Sequence, residues 1–302
     1  MNLQTSLHST QLLPSHAVGL IGRGIMASRS PAIHEAEGRA LGMALAYRLV
    51  DFTRMGWSDD ELPRAVKMLA DMGFSGSNVT FPFKQTVAAL CDELSAEAQV
   101  LEAVNTLVFR DGKIIGENTD WIGFSWLIER HFGSIAGASV AQIGTGGAGS
   151  ATALALAQLG AGEVVLYDPA QGRAQALADR LQPICPGCAF RVAAEPAGAI
   201  TGRAGVVNAT PVGMASVPGV PFDPALLADG QWLADIIYFP LETQLLAAAR
   251  ARGIAHANGV SMVVGQAAKA FEHFTGVTPD QERMLSSLQA AIAAEVEQEH
   301  AA

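Results

Sequence analysis

Along most of the chain, short apolar runs alternate with longer stretches whose apolar residues recur every three or four positions. "AVGLIG" precedes "PAIHEAEGRALG", "ALAYRLVDF" precedes "DDELPRAVKMLADMG", and "FSGSNVT" precedes "PFKQTVAALCDEL". The first member of each pair has the length and residue types of a strand, the second the period of a helix. This alternation predicts α/β architecture with mostly parallel sheets covered by helices. The rhythm breaks at "NTLVFRDGKIIGEN", where two extended runs flank Asp111-Gly112, a dipeptide suited to a tight hairpin turn. It resumes with "ASVAQIG", "GGAGSATALALAQLG", "GEVVLYD" and "GRAQALADRL". "AGVVNAT", "WLADIIY" and "GIAHAN" read as three more strands of a second sheet.

Between the two series lies "TDWIGFSWLIERHFGSIAG", whose apolar spacing suits a helix bridging two domains. A boundary is therefore expected near Asp120, and the tail from Gly259 onward reads as two helical segments. A chain of 302 residues, 50% of them hydrophobic, can bury two substantial cores. No repeat, low-complexity stretch or long linker interrupts it.

Charge narrows the partners. Nineteen basic against 29 acidic residues leave a net charge of -10, and no basic stretch carries interleaved aromatics, so nucleic acid is not an expected ligand. An anionic ligand would have to be captured by local groups. "MNLQTSLHSTQLLPSH" lacks the basic start and apolar core of a signal peptide, and no long apolar run appears, so a cytoplasmic protein with a loose N-terminal lead and no membrane span is expected. Cys91, Cys185 and Cys188 are an odd set, which argues against a disulfide framework. Cys185-Pro186-Gly187-Cys188 reads as a surface turn, because no second Cys or His pair stands at metal-ligand spacing. No metal is expected, and the sequence does not choose between monomer and homodimer.

The most specific chemistry lies in "VAQIGTGGAGSATALALAQLG". Gly144-x-Gly146-x-x-Gly149, with Gly147 and Ala148 inside it, follows a strand and opens a small-residue helix. Glycines there let the backbone turn tightly and approach a pyrophosphate, which meets free N–H groups at the helix start. The next strand ends at Asp168, where a carboxylate would accept hydrogen bonds from adenosine ribose hydroxyls. A 2'-phosphate would face that charge, so NAD is favoured over NADP. Arg173 could partly neutralise Asp168 and leave some tolerance of NADP. Asp168 could instead merely cap the following helix.

In the first half, "MASRSPAIHE" places Ser28 and Ser30 two apart before Pro31. With Ser30 as N-cap and Pro31 as first helical residue, hydroxyls and free N–H groups would converge on a spot suited to a carboxylate, unless they serve as a cap alone. In "SGSNVTFPFKQ", Pro82 is expected to open a helix, which sets Lys84 where an ammonium is disfavoured and its neutral form helped.

Together these motifs resemble the shikimate/quinate dehydrogenase family. The resemblance runs from about Ala17 to Phe274 through "SRSP", "NVTFPFK", "EAVNT", "ENTDWIGF", "GTGGAG", "NATPVGM" and "NGVSMVVGQA" in family order. It implies a substrate domain of residues 17–120 and 259–302, a Rossmann-like dinucleotide-binding domain of residues 121–258, and an active site between them. It assigns Lys84 and Asp120 as the catalytic pair and Ser28 and Ser30 as holders of a substrate carboxylate, with Thr80 and Tyr238 nearby. Asn78, Asn105 and Gln266 would contact substrate hydroxyls or order the site, and Asn208, Thr210, Gly259 and Met262 would line the cofactor side. The implied reaction interconverts a hydroxyl and a ketone on a cyclic hydroxy-carboxylate, quinate or shikimate. An amino-substituted analogue, and a dinucleotide-binding regulator without turnover, stand as alternatives. Members using NADP commonly carry Asn-Arg-Thr where this chain has Asp168-Pro169-Ala170, which again favours NAD. Gly24-Ile25, His34-Glu35 and Asn258 depart from the biosynthetic pattern toward quinate-type and amino-analogue branches. His34 and His256, each alone in its element, read as structural rather than acid/base groups.

Overall fold

The computed structural model describes residues 14–301, so the expected N-terminal lead lies largely outside the described residues. Two six-stranded sheets organise the chain. The first is built from β1 (Ser15–Gly22), β2 (Ala44–Asp51), β3 (Gly76–Val79), β4 (Glu93–Leu94), β5 (Thr106–Arg110) and β6 (Lys113–Glu117), in the order β2-β1-β3-β5-β6-β4. Its helices are α1 (Ser30–Ala40), α2 (Phe52–Met55), α3 (Leu62–Asp71) and α4 (Ala96–Leu101). β1 pairs parallel with β2 and β3, whereas β5 pairs antiparallel with β3 and β6. The β5–β6 turn is the one anticipated at Asp111-Gly112, both residues having positive φ, 53° and 74°.

α5 (Asp120–Phe132) then leads to the second sheet. Its elements are β7 (Ser139–Ile143), α6 (Gly147–Gln158), β8 (Glu163–Tyr167), α7 (Arg173–Leu181), β9 (Ala189–Val192), α8 (Pro196–Ile200), β10 (Gly205–Asn208), β11 (Trp232–Asp235), α9 (Gln244–Ala251) and β12 (Ala255–Ala257). The order β12-β11-β10-β7-β8-β9 is parallel throughout, with its switch point between β7 and β10. Such a crevice is where doubly wound sheets bind ligands. α10 (Val260–Thr275) packs along α5, and α11 (Gln281–Ala301) lies on α1. Arg283 of α11 grips the buried Glu37 of α1 with two hydrogen bonds of 2.6 and 2.7 Å.

Several local expectations are corrected. No α-helix begins at Pro82. The Phe83 N–H closes a turn on Thr80 O across the cis Phe81–Pro82 bond, and only a 3-10 turn, Thr86–Leu90, follows. The Lys84 carbonyl accepts from Val104 N at 2.7 Å, so it cannot propagate a helix. "CDEL" contributes β4 instead, drawn into the sheet beside β6. β9 has a weak apolar pattern and was not anticipated. In the Cys185–Cys188 turn only Pro186 and Gly187 are exposed, and both thiols are buried in the second lobe's core. Burial pushes the Cys188 thiol up to about 11, so it is an inert packing group.

His34 is 1% exposed, its ring 4.8 Å from that of Tyr47, and its Nδ1 has no hydrogen-bond partner among the described residues. Burial drives its pKa down to about 3, which makes it neutral packing. The unfolded chain takes this proton near pH 6.5, so stability present above 6.5 is lost progressively as pH falls toward 3. At pH 5 the linkage amounts to about 2 kcal/mol. Urea unfolding of His34→Leu should therefore lose about that much less than wild type between pH 7 and pH 5. Equal losses in the two proteins would remove His34 from the acid sensitivity.

Candidate active site

Asp120 is the first residue of α5, so its carboxylate lies where the helix dipole favours negative charge. Its Oδ2 is 2.6 Å from Lys84 Nζ, and its Oδ1 accepts from Asn105 Nδ2 at 2.9 Å. The helix N-terminus in this pair thus belongs to the carboxylate, not to the ammonium. The carboxylate is 7% exposed and the lysine 32%, which leaves the amine the accessible partner. Asn105 is oriented by its neighbours. Its Oδ1 accepts from Thr119 N at 2.8 Å and Thr106 Oγ1 at 3.0 Å, which directs the amide toward Asp120.

The serine pair lies before α1. The helix begins one position earlier than expected, with Ser30 as its first residue and Arg29 at the cap position. Ser28 Oγ accepts from Ser30 N at 3.3 Å and is 3.2 Å from Ser30 Oγ, so the two hydroxyls face one spot. The loop leading to them is anchored by Asp51, whose two oxygens accept from Gly24 N and Ile25 N, each at 2.9 Å. Tyr47, on β2, was missed by the sequence reading. Its hydroxyl donates to Asn78 Oδ1 at 2.8 Å, and Asn78 Nδ2 donates to Thr106 Oγ1 at 3.0 Å. Burial pushes the Tyr47 hydroxyl well above its usual pKa, against a smaller opposing effect of its bond with Ser30, so it stays a neutral donor. A tyrosine expected to be buried in a strand needs a partner for its hydroxyl, and that need was the available signal.

Lys84, Asn105, Ser28, Ser30 and Asn78 line one cavity of about 320 Å³, with Asp120 and Tyr47 bonded to its wall from outside the lining. Ser28, Ser30, Asn78, Thr80, Lys84 and Asn105 come from the first lobe, Tyr238 from the segment after β11, and Gln266 from α10. The volume suits a small ring-sized molecule, and the lining is rich in donors. His256 takes no part, its Nδ1 lying 2.8 Å from Ile254 O.

The glycine-rich turn lies at the carboxyl end of β7. Gly144 has φ +96°, and a Cβ there would come within 2.8 Å of Ala209. A Cβ on Gly149 would lie 2.4 Å from Gly144 O, so the helix start can pack this tightly only with glycine. At Gly146 and Gly147 a Cβ would meet nothing within 4 Å. The backbone is thus bare and open where a pyrophosphate would approach, with Ala148 half-buried beside it. Gln142, fully buried, donates to Gly144 O and Gly149 O and holds the loop from beneath.

Asp168 follows β8. Its Oδ2 accepts from Thr145 N at 2.8 Å and Thr145 Oγ1 at 2.9 Å, and its Oδ1 accepts from Ala170 N at 2.9 Å. Burial opposes its ionisation, but these hydrogen bonds, aided by Arg173 at 3.9 Å, outweigh it and hold the carboxyl below its usual value. α7 is capped by Gly172, so Asp168 does not cap that helix. Across the switch point, Asn208 Oδ1 accepts from Thr210 N at 3.0 Å and Oγ1 at 2.7 Å, and Thr210 lies against Gly144. Gly259 packs its backbone on Ile236, and Met262 is 7% exposed.

A polar cleft with a lysine–carboxylate pair, beside a parallel sheet whose first turn can cradle a dinucleotide, defines a two-lobed nicotinamide-dependent oxidoreductase. Residues 20–107 match the shikimate dehydrogenase substrate binding domain, and residues 259–289 match the shikimate 5'-dehydrogenase C-terminal domain. A shikimate dehydrogenase (NADP(+)) of Streptomyces avermitilis is 44% identical over 277 residues, 91% of this chain and 95% of its own. A quinate/shikimate dehydrogenase (NAD(+)) of Corynebacterium efficiens is 42% identical, covering 88% and 95%. The quinate dehydrogenase from Corynebacterium glutamicum in complex with NAD superposes with a TM-score of 0.86 at 40% identity, covering 92% of this chain and 99% of that one. The chain belongs to the shikimate dehydrogenase family. Among the described residues no helix is long and apolar enough to cross a membrane, and no cluster of His, Cys, Asp and Glu side chains could hold a metal ion.

Proposed function

We propose that the chain is an NAD-preferring dehydrogenase that interconverts a secondary hydroxyl and a ketone on a cyclic polyol carboxylate, shikimate or quinate. The observation that carries this reading is the contact of 2.6 Å between Asp120 and Lys84, the latter on the wall of a cavity that also presents Ser28 and Ser30. The serine hydroxyls hold the substrate carboxylate, supported by Thr80 and Tyr238. Asn78, Asn105 and Gln266 supply hydrogen bonds to the ring hydroxyls. Gly144 to Gly149 would hold a nicotinamide dinucleotide, which would supply the hydride acceptor or donor when bound. Lys84 takes the hydroxyl proton in oxidation and gives it to the carbonyl oxygen in reduction. Asp120 keeps Nζ pointed at that proton, and Asn105 and its place at the helix N-terminus hold Asp120 in position.

NAD is preferred because Asp168 presents a negative charge at the end of β8. With Oδ2 occupied by Thr145, the free lone pair on Oδ1 is left for a ribose hydroxyl. Relatives carry both NAD(+) and NADP(+) names at similar identity, so the preference rests on Asp168 and its surroundings.

Initial rates of reduced-cofactor formation with shikimate and with quinate, each with NAD and with NADP, test the proposal. At least one substrate should be oxidised with NAD, with kcat/KM above the NADP value by about ten-fold or more, given a repulsion of about 1–4 kcal/mol between two close charges. Turnover only of an amino-substituted analogue would keep the chemistry and reassign the substrate. NADH binding without turnover on any of these would leave a regulator.

A further inference from the structure

Asp235 ends β11 and is fully buried, yet it lies outside both the substrate cavity and the glycine-rich turn. Three donors converge on it: Asn208 Nδ2 at 3.0 Å and Ile237 N at 3.1 Å on Oδ1, and Thr243 Oγ1 at 2.8 Å on Oδ2. None of these donors is a cation. Burial pushes its carboxyl up to about 6, and the hydrogen bonds from Thr243, Ile237 and Asn208 pull the other way without cancelling that effect. A buried acid without a cationic partner is a costly way to join three segments if packing alone is at stake.

Each segment it joins leads to a different part of the site. Asn208 holds Thr210, which lies against Gly144 at the glycine-rich turn. Ile237 immediately precedes Tyr238 of the cavity wall, and its carbonyl accepts from Gly259 N at 2.9 Å at the start of the helix that carries Gln266. Thr243 caps α9 through Leu246 N at 3.2 Å and so anchors the far end of the Tyr238 segment.

We infer that Asp235 is a positioning residue that ties the cofactor wall at Asn208–Thr210 to the substrate wall at Tyr238, so that one carboxylate sets the two half-sites relative to each other. This rests on the assignment of those walls under the proposed function. Asp235→Ala should raise both the NADH dissociation constant, read by fluorescence titration, and the substrate KM by about ten-fold, as expected for three released buried donors. Asp235→Asn keeps an acceptor for Asn208 and Ile237 and can donate to Thr243, and it should return both values to within about three-fold of wild type. An alanine variant that melts earlier but keeps both constants well below its melting temperature would show mere packing and overturn the inference. An asparagine variant as impaired as alanine would overturn it too. If the alanine variant does not fold, Thr243→Val, which frees Oδ2 alone, must raise both constants, and unchanged values there reject the coupling. Thr210→Val and Tyr238→Phe report on the walls separately. If neither alters its own ligand, the placement of the half-sites fails, whatever Asp235 does.

Discussion

Lys84→Met is expected to lower kcat for hydroxyl oxidation by about 10³-fold, within the range of 10²–10⁴ typical of a lost general acid/base, while NADH affinity stays within about two-fold of wild type. Methionine keeps most of the length of the lysine stem and removes the member of the pair that lines the cavity and can exchange a proton with a ligand there. Asp120 then loses its Lys84 contact but keeps the Asn105 amide and its helix N-terminus, so the cavity floor retains its shape. The substrate should therefore still bind through Ser28 and Ser30, and KM should move far less than kcat. Stopped-flow and steady-state rates with the better of the two substrates make the measurement. A kcat within ten-fold of wild type would take the proton from Lys84 and assign it to another group or to water. A KM that rises as much as kcat falls would make Lys84 a binding residue.

How far the site could be read ahead of the structure depended on how local each constraint is. Asp111-Gly112 needed only two positive φ values, and Gly144, Gly146 and Gly149 needed only a strand before and a helix after, so short windows announced them. Lys84 lines the cavity, but not on the helix its segment suggests. Its segment looks helical because Pro82 and the apolar spacing suit a helix, but Val104, from the next crossover, takes the carbonyl that the helix would have used. No window of sequence contains that competitor. Tyr47 beneath Asn78 and Asp235 beneath Asn208 are equally non-local, each reaching a partner that sequence brings no closer than 27 residues away. The cysteine turn was legible in backbone and not in burial, because the direction of the thiols depends on the core packed behind α7.

Asp168→Ser is expected to shift the ratio of kcat/KM for NAD over NADP by about 10² toward NADP, the middle of the range set by a repulsion of about 1–4 kcal/mol between a carboxylate and a 2'-phosphate about 4 Å apart. The structure divides that shift into two parts. Removing the charge relieves NADP, and the Arg173 guanidinium, released from Asp168 and 57% exposed, is free to meet the added phosphate. NAD should also lose about ten-fold in KM, because Thr145 N and Oγ1 give up the carboxylate that holds the glycine-rich turn. Thr145→Val separates the parts: it breaks the Oγ1 contact, leaves the charge in place, and should weaken both cofactors together with little change in their ratio. Asp168→Ser would then change both preference and affinity, and Thr145→Val affinity alone. If Asp168→Ser weakens both cofactors equally, the carboxylate serves the turn alone, and discrimination between NAD and NADP must come from residues farther along the segment after β8.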